Sequence, residues 1–228
     1  MEPRVAAPAR CAALLLLVLA GGVFPAAAAP VDAAGWQAYA RSDYVAARSL
    51  FEEKAHADDR LAQYNLAMML LRGEGGAADP EAGARWLRKA ADAGMVQAQY
   101  NLGLLYEGGI GVPRSLTAAT EWWEKAAKHG HTEAQVELAT QYFLGRGAPK
   151  DWKLAARWYE AAAENGDAGA QYIIGSFYEH GDGVAQDLRK ALEWYVAAAR
   201  QGDVGAAVQA KDVARRISAT ASPGPRDP

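Results

Sequence analysis

One spacing governs this chain. Alanine stands at Ala62, Ala98, Ala134 and Ala170, steps of 36 residues, and glutamine follows each, as Gln63, Gln99, Gln135 and Gln171. The same step carries two glycines per unit: Gly73 with Gly75, Gly109 with Gly111, Gly145 with Gly147, Gly181 with Gly183. It then carries Trp86, Trp122, Trp158 and Trp194, and the alanine pairs that begin at Ala90, Ala126, Ala162 and Ala198. Each unit closes on Gly94, Gly130, Gly166 or Gly202, so eight positions keep one identity through four units without an insertion. A unit this short cannot bury a hydrophobic face alone. Neighbouring units must stack, which makes the chain a quasi-one-dimensional array.

Each unit reads as two helices. With the opening alanine as position zero and 3.6 residues per turn, positions zero, one, four, five and eight share a face. In the second unit these are Ala98, Gln99, Leu102, Gly103 and Tyr106. Small residues there admit a close neighbour, and leucine and tyrosine fill the remaining space. The glycine that follows, such as Gly109, suits the left-handed residue that ends many helices. In the second helix Ala155, Trp158, Tyr159, Ala162 and Ala163 form one apolar stripe. Asp79, Asp151, Asp187 and Ser115 precede these helices as N-caps, and Pro80 fits a first turn. Nothing alternates like a strand. The units fall at 62–97, 98–133, 134–169 and 170–205.

Both ends of the array read as caps. Before Ala62, Asp43 and Ala47 keep the second-helix register, with Leu50 in the tryptophan slot and Asp58 where the closing glycine should be. Residues 29–61 are therefore a degenerate first repeat. Beyond Gly202, Ala206, Ala210, Val213, Ala214 and Ile217 form one stripe opposite Lys211, Asp212, Arg215 and Arg216, so 206–219 is a terminal helix with a polar outer face. Residues 220–228, rich in Pro, Ser and Gly, read as a disordered tail.

The start of the chain has the three parts of a secretory signal: Arg4 and Arg10, an apolar run from Cys11 to Val23, and small residues up to Ala29. A cut after Ala28 would release 200 residues without the chain's single cysteine, Cys11, and place the product in the periplasm or outside the cell. No later segment has the apolar length to span a membrane, so no stable membrane insertion is expected after cleavage. A net charge of −3 without a basic run argues against a nucleic-acid partner.

The run Ala98-Gln99-Tyr100-Asn101-Leu102-Gly103-Leu104-Leu105-Tyr106-Glu107-Gly108-Gly109-Ile110-Gly111-Val112, followed by Trp122 to Ala127 and Gly130, resembles the Sel-one-like repeat. The resemblance is strong from Ala62 to about Gly205 and weak over Trp36 to Arg60. It implies an all-α, right-handed α/α solenoid related to tetratricopeptide repeats: four full repeats, a degenerate N-terminal one and a C-terminal capping helix. It also implies an adaptor, assembly factor or regulator that binds another protein or peptide. A cysteine-rich branch of the family is linked to β-lactam binding and hydrolysis. Its repeats carry paired cysteines, which the mature chain lacks.

No chemistry stands out beside this. His129 and His131 flank Gly130 with Glu133 nearby, too few ligands for a zinc site. The glycine loops, such as Gly73 to Ala78, lie between helices and are turns rather than phosphate cradles. The expectation is a non-enzyme without cofactor or metal, of open oligomeric state. Its candidate surface is the side of the first helices opposite their packing stripe, which lines the concave side in related solenoids. That side carries Tyr64, Asn65, Tyr100, Asn101, Glu107, Tyr172 and Glu179. Tyrosine, a rigid apolar body with a polar tip, is enriched at interfaces. An exported scaffold or regulator is the favoured function. A β-lactam-interacting enzyme and a structural part of an envelope or exopolysaccharide complex are the alternatives.

Overall fold

The computed structural model describes residues 33–221; the predicted signal peptide and nearly all of the predicted tail lie outside the described residues. Eleven helices and no strand occur among the described residues. They are α1 (Ala33–Ala40), α2 (Tyr44–His56), α3 (Arg60–Arg72), α4 (Pro80–Asp92), α5 (Val96–Gly108), α6 (Leu116–Lys128), α7 (Thr132–Leu144), α8 (Trp152–Glu164), α9 (Ala168–His180), α10 (Leu188–Arg200) and α11 (Val204–Ala221). The fold is an all-α solenoid in which consecutive helices pair. The chain forms two compact units, Met1–Trp122 and Trp123–Pro228, divided within α6.

In the first unit α2 packs on α1 and α3, and α4 packs on α3 and α5. Phe51, Leu66, Leu87 and Leu102 are fully buried in it. Burying each such side chain contributes about 1.5–3 kcal/mol. In the second unit the series runs from α7 through α11, around Leu138, Ile174, Tyr195 and Val213. Three of the four repeated tryptophans sit beside the core centre, while Trp122 is buried in it. Trp86, Trp158 and Trp194 are half-buried, while the next residues Leu87, Tyr159 and Tyr195 are buried.

Local chemistry sets the helix ends. Asp79, Asp151 and Asp187 accept backbone N–H bonds at the starts of α4, α8 and α10, and the Ser115 hydroxyl accepts from Ala118 at 3.2 Å. First helices have their own caps, Asp59 for α3 and Asp167 for α9, with His131 serving α7. Asp203 Oδ1 likewise accepts from Ala206 N–H at the start of α11. Gly73, Gly109, Gly145 and Gly181 take the expected left-handed conformation after the first helices. Asp58, in the slot of the closing glycine, takes it too, with φ 61°.

The second glycine of the loop does more than turn the chain. A Cβ on Gly111 would stand 2.0 Å from the carbonyl oxygen of Pro80, the first residue of α4. On Gly183 it would stand 2.1 Å from that of Trp152, and on Gly75 2.3 Å from that of Tyr44, the first residues of α8 and α2. Each of these three loops thus rests directly on the start of the preceding second helix.

The repeated glutamine has an equally regular role. Nε2 of Gln63, Gln99, Gln135 and Gln171 donates to the carbonyls of Ala55, Ala91, Ala127 and Ala163, at 3.1–3.3 Å. Those carbonyls lie in last turns, where each also accepts the backbone N–H three residues on, and the added buried amide ties each first helix to the helix before it. In the second unit the glutamine Oε1 is satisfied as well, by Asn165 Nδ2 at 2.9 Å and Gln201 Nε2 at 2.8 Å.

Candidate protein-binding face

In the first unit the candidate residues come from α3 and α5. Tyr64 is half-buried, and its hydroxyl accepts from Asn101 Nδ2 at 3.1 Å. Burial raises the Tyr64 pKa, partly opposed by the Asn101 bond. Asn101 also approaches Met68 Sδ at 3.8 Å, and its Oδ1 accepts from Gln97 Nε2 at 3.1 Å. Tyr100 and Glu107 are half-buried, and the Glu107 carbonyl accepts from Arg114 Nε at 2.9 Å.

Two candidates here are less available than the helical wheel suggests. Asn65 is 5% exposed and Asn101 7% exposed. Next to Asn65 lies a cavity of about 50 Å³ lined by residues of α1, α2 and α3 and by Glu74. At its rim the Tyr39 hydroxyl donates to both Glu74 carboxylate oxygens, at 3.2 and 3.1 Å, and Arg72 lies 3.7 Å from the same carboxylate. Burial and Glu74 together raise the Tyr39 pKa.

In the second unit Tyr172 is half-buried, with its ring 5.5 Å from that of Tyr195. Glu179 does not sit at an open rim. It is 6% exposed, accepts from the Tyr195 hydroxyl at 2.8 Å, and pairs with Arg216 of α11. Burial raises the Tyr195 pKa strongly, and Glu179 adds to it. This carboxylate anchors the terminal helix, a role that needed a residue 37 positions away and left no local signal.

Among the described residues no group of three His, Cys, Asp or Glu could hold a metal, and no helix is long and apolar enough to cross a membrane. His131 Nδ1 accepts the Ala134 N–H at 3.4 Å and lies 3.2 Å from Glu133. Burial lowers its pKa below the usual 6.5.

The Sel1 repeat model matches residues 60–95, 96–131, 132–167 and 168–203, four consecutive copies that cover more than half of the chain. The chain belongs to the Sel1 repeat family. A Sel1 repeat protein from Oxalobacter formigenes is similar at 32% identity over 80% of this chain and 75% of that one, with a TM-score of 0.74. A protective antigen of uropathogenic Escherichia coli that displays the same fold is similar at 36% identity over 70% of this chain, with a TM-score of 0.65. This chain spans 34% of that protein's length. No curated protein matches the chain. Sel1 repeat proteins are commonly protein-interaction scaffolds. The Sel1 match begins two residues before each unit read from the alanine step, at the helix start instead of the first packed alanine.

Proposed function

We propose that the chain is an exported, periplasmic scaffold or regulator that binds another protein or peptide through the first helices of its repeats, without catalysis of its own. The observation that carries this reading is the set Tyr64, Tyr100 and Tyr172. These tyrosines hold one register on three first helices and stay half-buried rather than disappearing into the core. A side chain of this kind gives contact area at low entropic cost. Glu107 is the candidate charged neighbour. Asn101 holds the Tyr64 hydroxyl, while Asn65 and Glu179 are buried. Export rests on the N-terminal pattern of basic, apolar and small residues.

Photo-crosslinking tests this directly. A photoreactive residue at Tyr100 or Tyr172 should trap one defined protein in cells, while the same residue at exposed Glu121 or Arg157 of the second helices should not. Trapping only from the second helices would contradict the proposal.

A further inference from the structure

We propose that the loop between α7 and α8 is a docking surface for an acidic segment of a partner protein. Phe143 and Trp152 receive one apolar side chain of that segment, and Arg146, Lys150 and Lys153 receive its carboxylates. Tyr64, Tyr100 and Tyr172 take no part, so the inference goes beyond the scaffold reading and does not rest on it.

The third repeat departs from the other three at this loop. Residues 144–153 hold three cations, Arg146, Lys150 and Lys153, and one carboxylate, Asp151. The equivalent stretch of the first repeat, 72–81, has one cation and three carboxylates, and that of the fourth, 180–189, one cation and two carboxylates. The second, 108–117, has Arg114 as its single charge. An aromatic pair is confined to the third repeat as well. Phe143 stands where the others have Leu71, Glu107 and Glu179, and Trp152 where they have Pro80, Leu116 and Leu188.

The two rings form one apolar floor. Phe143 and Trp152 meet edge to face at 4.9 Å and lie 5.9 and 5.8 Å from the buried ring of Phe177. Both are half-buried, and Leu144 beside Phe143 is 44% exposed. In the second and fourth repeats the residue in the Lys150 slot, Arg114 or Gln186, donates to the carbonyl of Glu107 or Glu179. Lys150 instead holds its ammonium 4.8 Å from the centre of the Trp152 ring and 6.0 Å from that of Phe143. All three cations are exposed, and among the described residues none of them forms an ion pair. Asp151 is engaged elsewhere: its Oδ1 accepts the N–H groups of Lys153 and Leu154, both at 2.9 Å. An exposed ammonium–ring contact is weak and the lysine stem is flexible, so Lys150 can turn to a carboxylate and bare the rings. Unpaired cations around an apolar floor match a segment whose aliphatic or aromatic residue is flanked by Asp or Glu. A bilayer fits less well, because rings half-buried against Phe177 offer no wedge to enter its acyl region.

The test uses the purified protein and a fluorescein-labelled Asp-Glu-Phe-Leu-Glu-Asp peptide, read by fluorescence anisotropy. The peptide should bind saturably, and about tenfold more weakly at 1 M salt, where charges are screened beyond about 3 Å. Lys150→Glu with Lys153→Glu should weaken binding about tenfold or more. Lys211→Glu with Arg215→Glu makes the same change of net charge on α11 and should leave affinity unchanged. Trp152→Leu places there the residue that the second and fourth repeats carry, so the fold is kept, and should weaken binding about fivefold. No saturable binding, equal losses from the two charge reversals, or undiminished binding by Trp152→Leu would overturn the docking surface. Equal affinity for Lys-Lys-Phe-Leu-Lys-Lys would overturn it too. So would binding to phosphatidylglycerol vesicles, abolished by Lys150→Glu with Lys153→Glu, in a protein that ignores the peptide. Tyr100→Ala with Tyr172→Ala separates this surface from the first helices. Peptide affinity should not move in that variant, and a loss as large as that of the lysine pair would assign the peptide to the first helices instead.

Discussion

Replacing Gly111 by alanine should damage this solenoid far more than replacing Gly94, although both glycines take positive φ, 65° and 81°. The backbone cost of a left-handed alanine is shared by the two sites and amounts to about 1–2 kcal/mol. Their surroundings differ. A Cβ at Gly94 meets nothing within 4 Å, whereas at Gly111 it would lie 2.0 Å from the Pro80 oxygen and 2.4 Å from its carbonyl carbon. Those atoms are backbone and cannot swing aside. The loop or the start of α4 must move, and forced overpacking of this kind adds about 1–3 kcal/mol. Gly94→Ala should therefore cost about 1 kcal/mol and Gly111→Ala about 3 kcal/mol. Urea unfolding followed by far-UV circular dichroism measures both, and an unchanged m-value confirms that the difference is one of stability. Equal losses would show that the close approach of loop and helix does not hold the repeats together.

Three further substitutions probe other joints. Ala93→Asn places an amide where Asn165 and Gln201 stand in later repeats, at nearly the same backbone angles, φ −73° and ψ 8° against −77° and 3° at Asn165. It should satisfy the buried, unpartnered Gln63 Oε1 and add about 1 kcal/mol in a thermal melt; no gain would refute the inter-repeat role of that oxygen. Arg216→Ala leaves the buried Glu179 carboxylate with, among the described residues, the Tyr195 hydroxyl to donate to it. This should cost about 2 kcal/mol, less than a fully buried pair because Arg216 is partly exposed, and Glu179→Gln in the same chain should restore part of the loss. His131, with its pKa below the usual 6.5, serves as a cap only while neutral. Its contribution is complete above the unfolded value and is lost as pH falls through the lower folded value. Stability should decline as pH drops below about 6.5, and His131→Asp should flatten that decline between pH 7 and about 5.

Much of this molecule is legible in its sequence because a repeat prints its own constraints several times. The step from Ala62 to Ala170 marks the packed start of the first helices, and Gly73 and its equivalents mark their left-handed ends. Asp58, read as a failed closing glycine, keeps the left-handed backbone of the residue it replaces. The glutamine after each alanine was visible, yet its role was not. Its bond reaches back across the turn to the previous helix, a relation absent from a single helical wheel. The same wheel places Asn65 and Asn101 outward, although residues of adjacent helices bury both. The caps Asp59, His131, Asp167 and Asp203 also fall on the 36-residue step, which Met95 alone interrupts without a side-chain cap, and could have been read from it. Glu179 could not: its burial depends on Arg216 of the terminal helix, and no repeat position announces that pair.

Paired measurement of affinity and stability for Tyr100→Ala with Tyr172→Ala tests the central claim most directly, using the partner trapped at these positions. If the first helices form the binding face, the double variant should lose about 2 kcal/mol of partner affinity, roughly thirtyfold, while remaining helical at the assay temperature. If the tyrosines serve only as packing, stability should fall by about 3 kcal/mol or more while the folded fraction binds its partner with unchanged affinity. That second result would contradict the account.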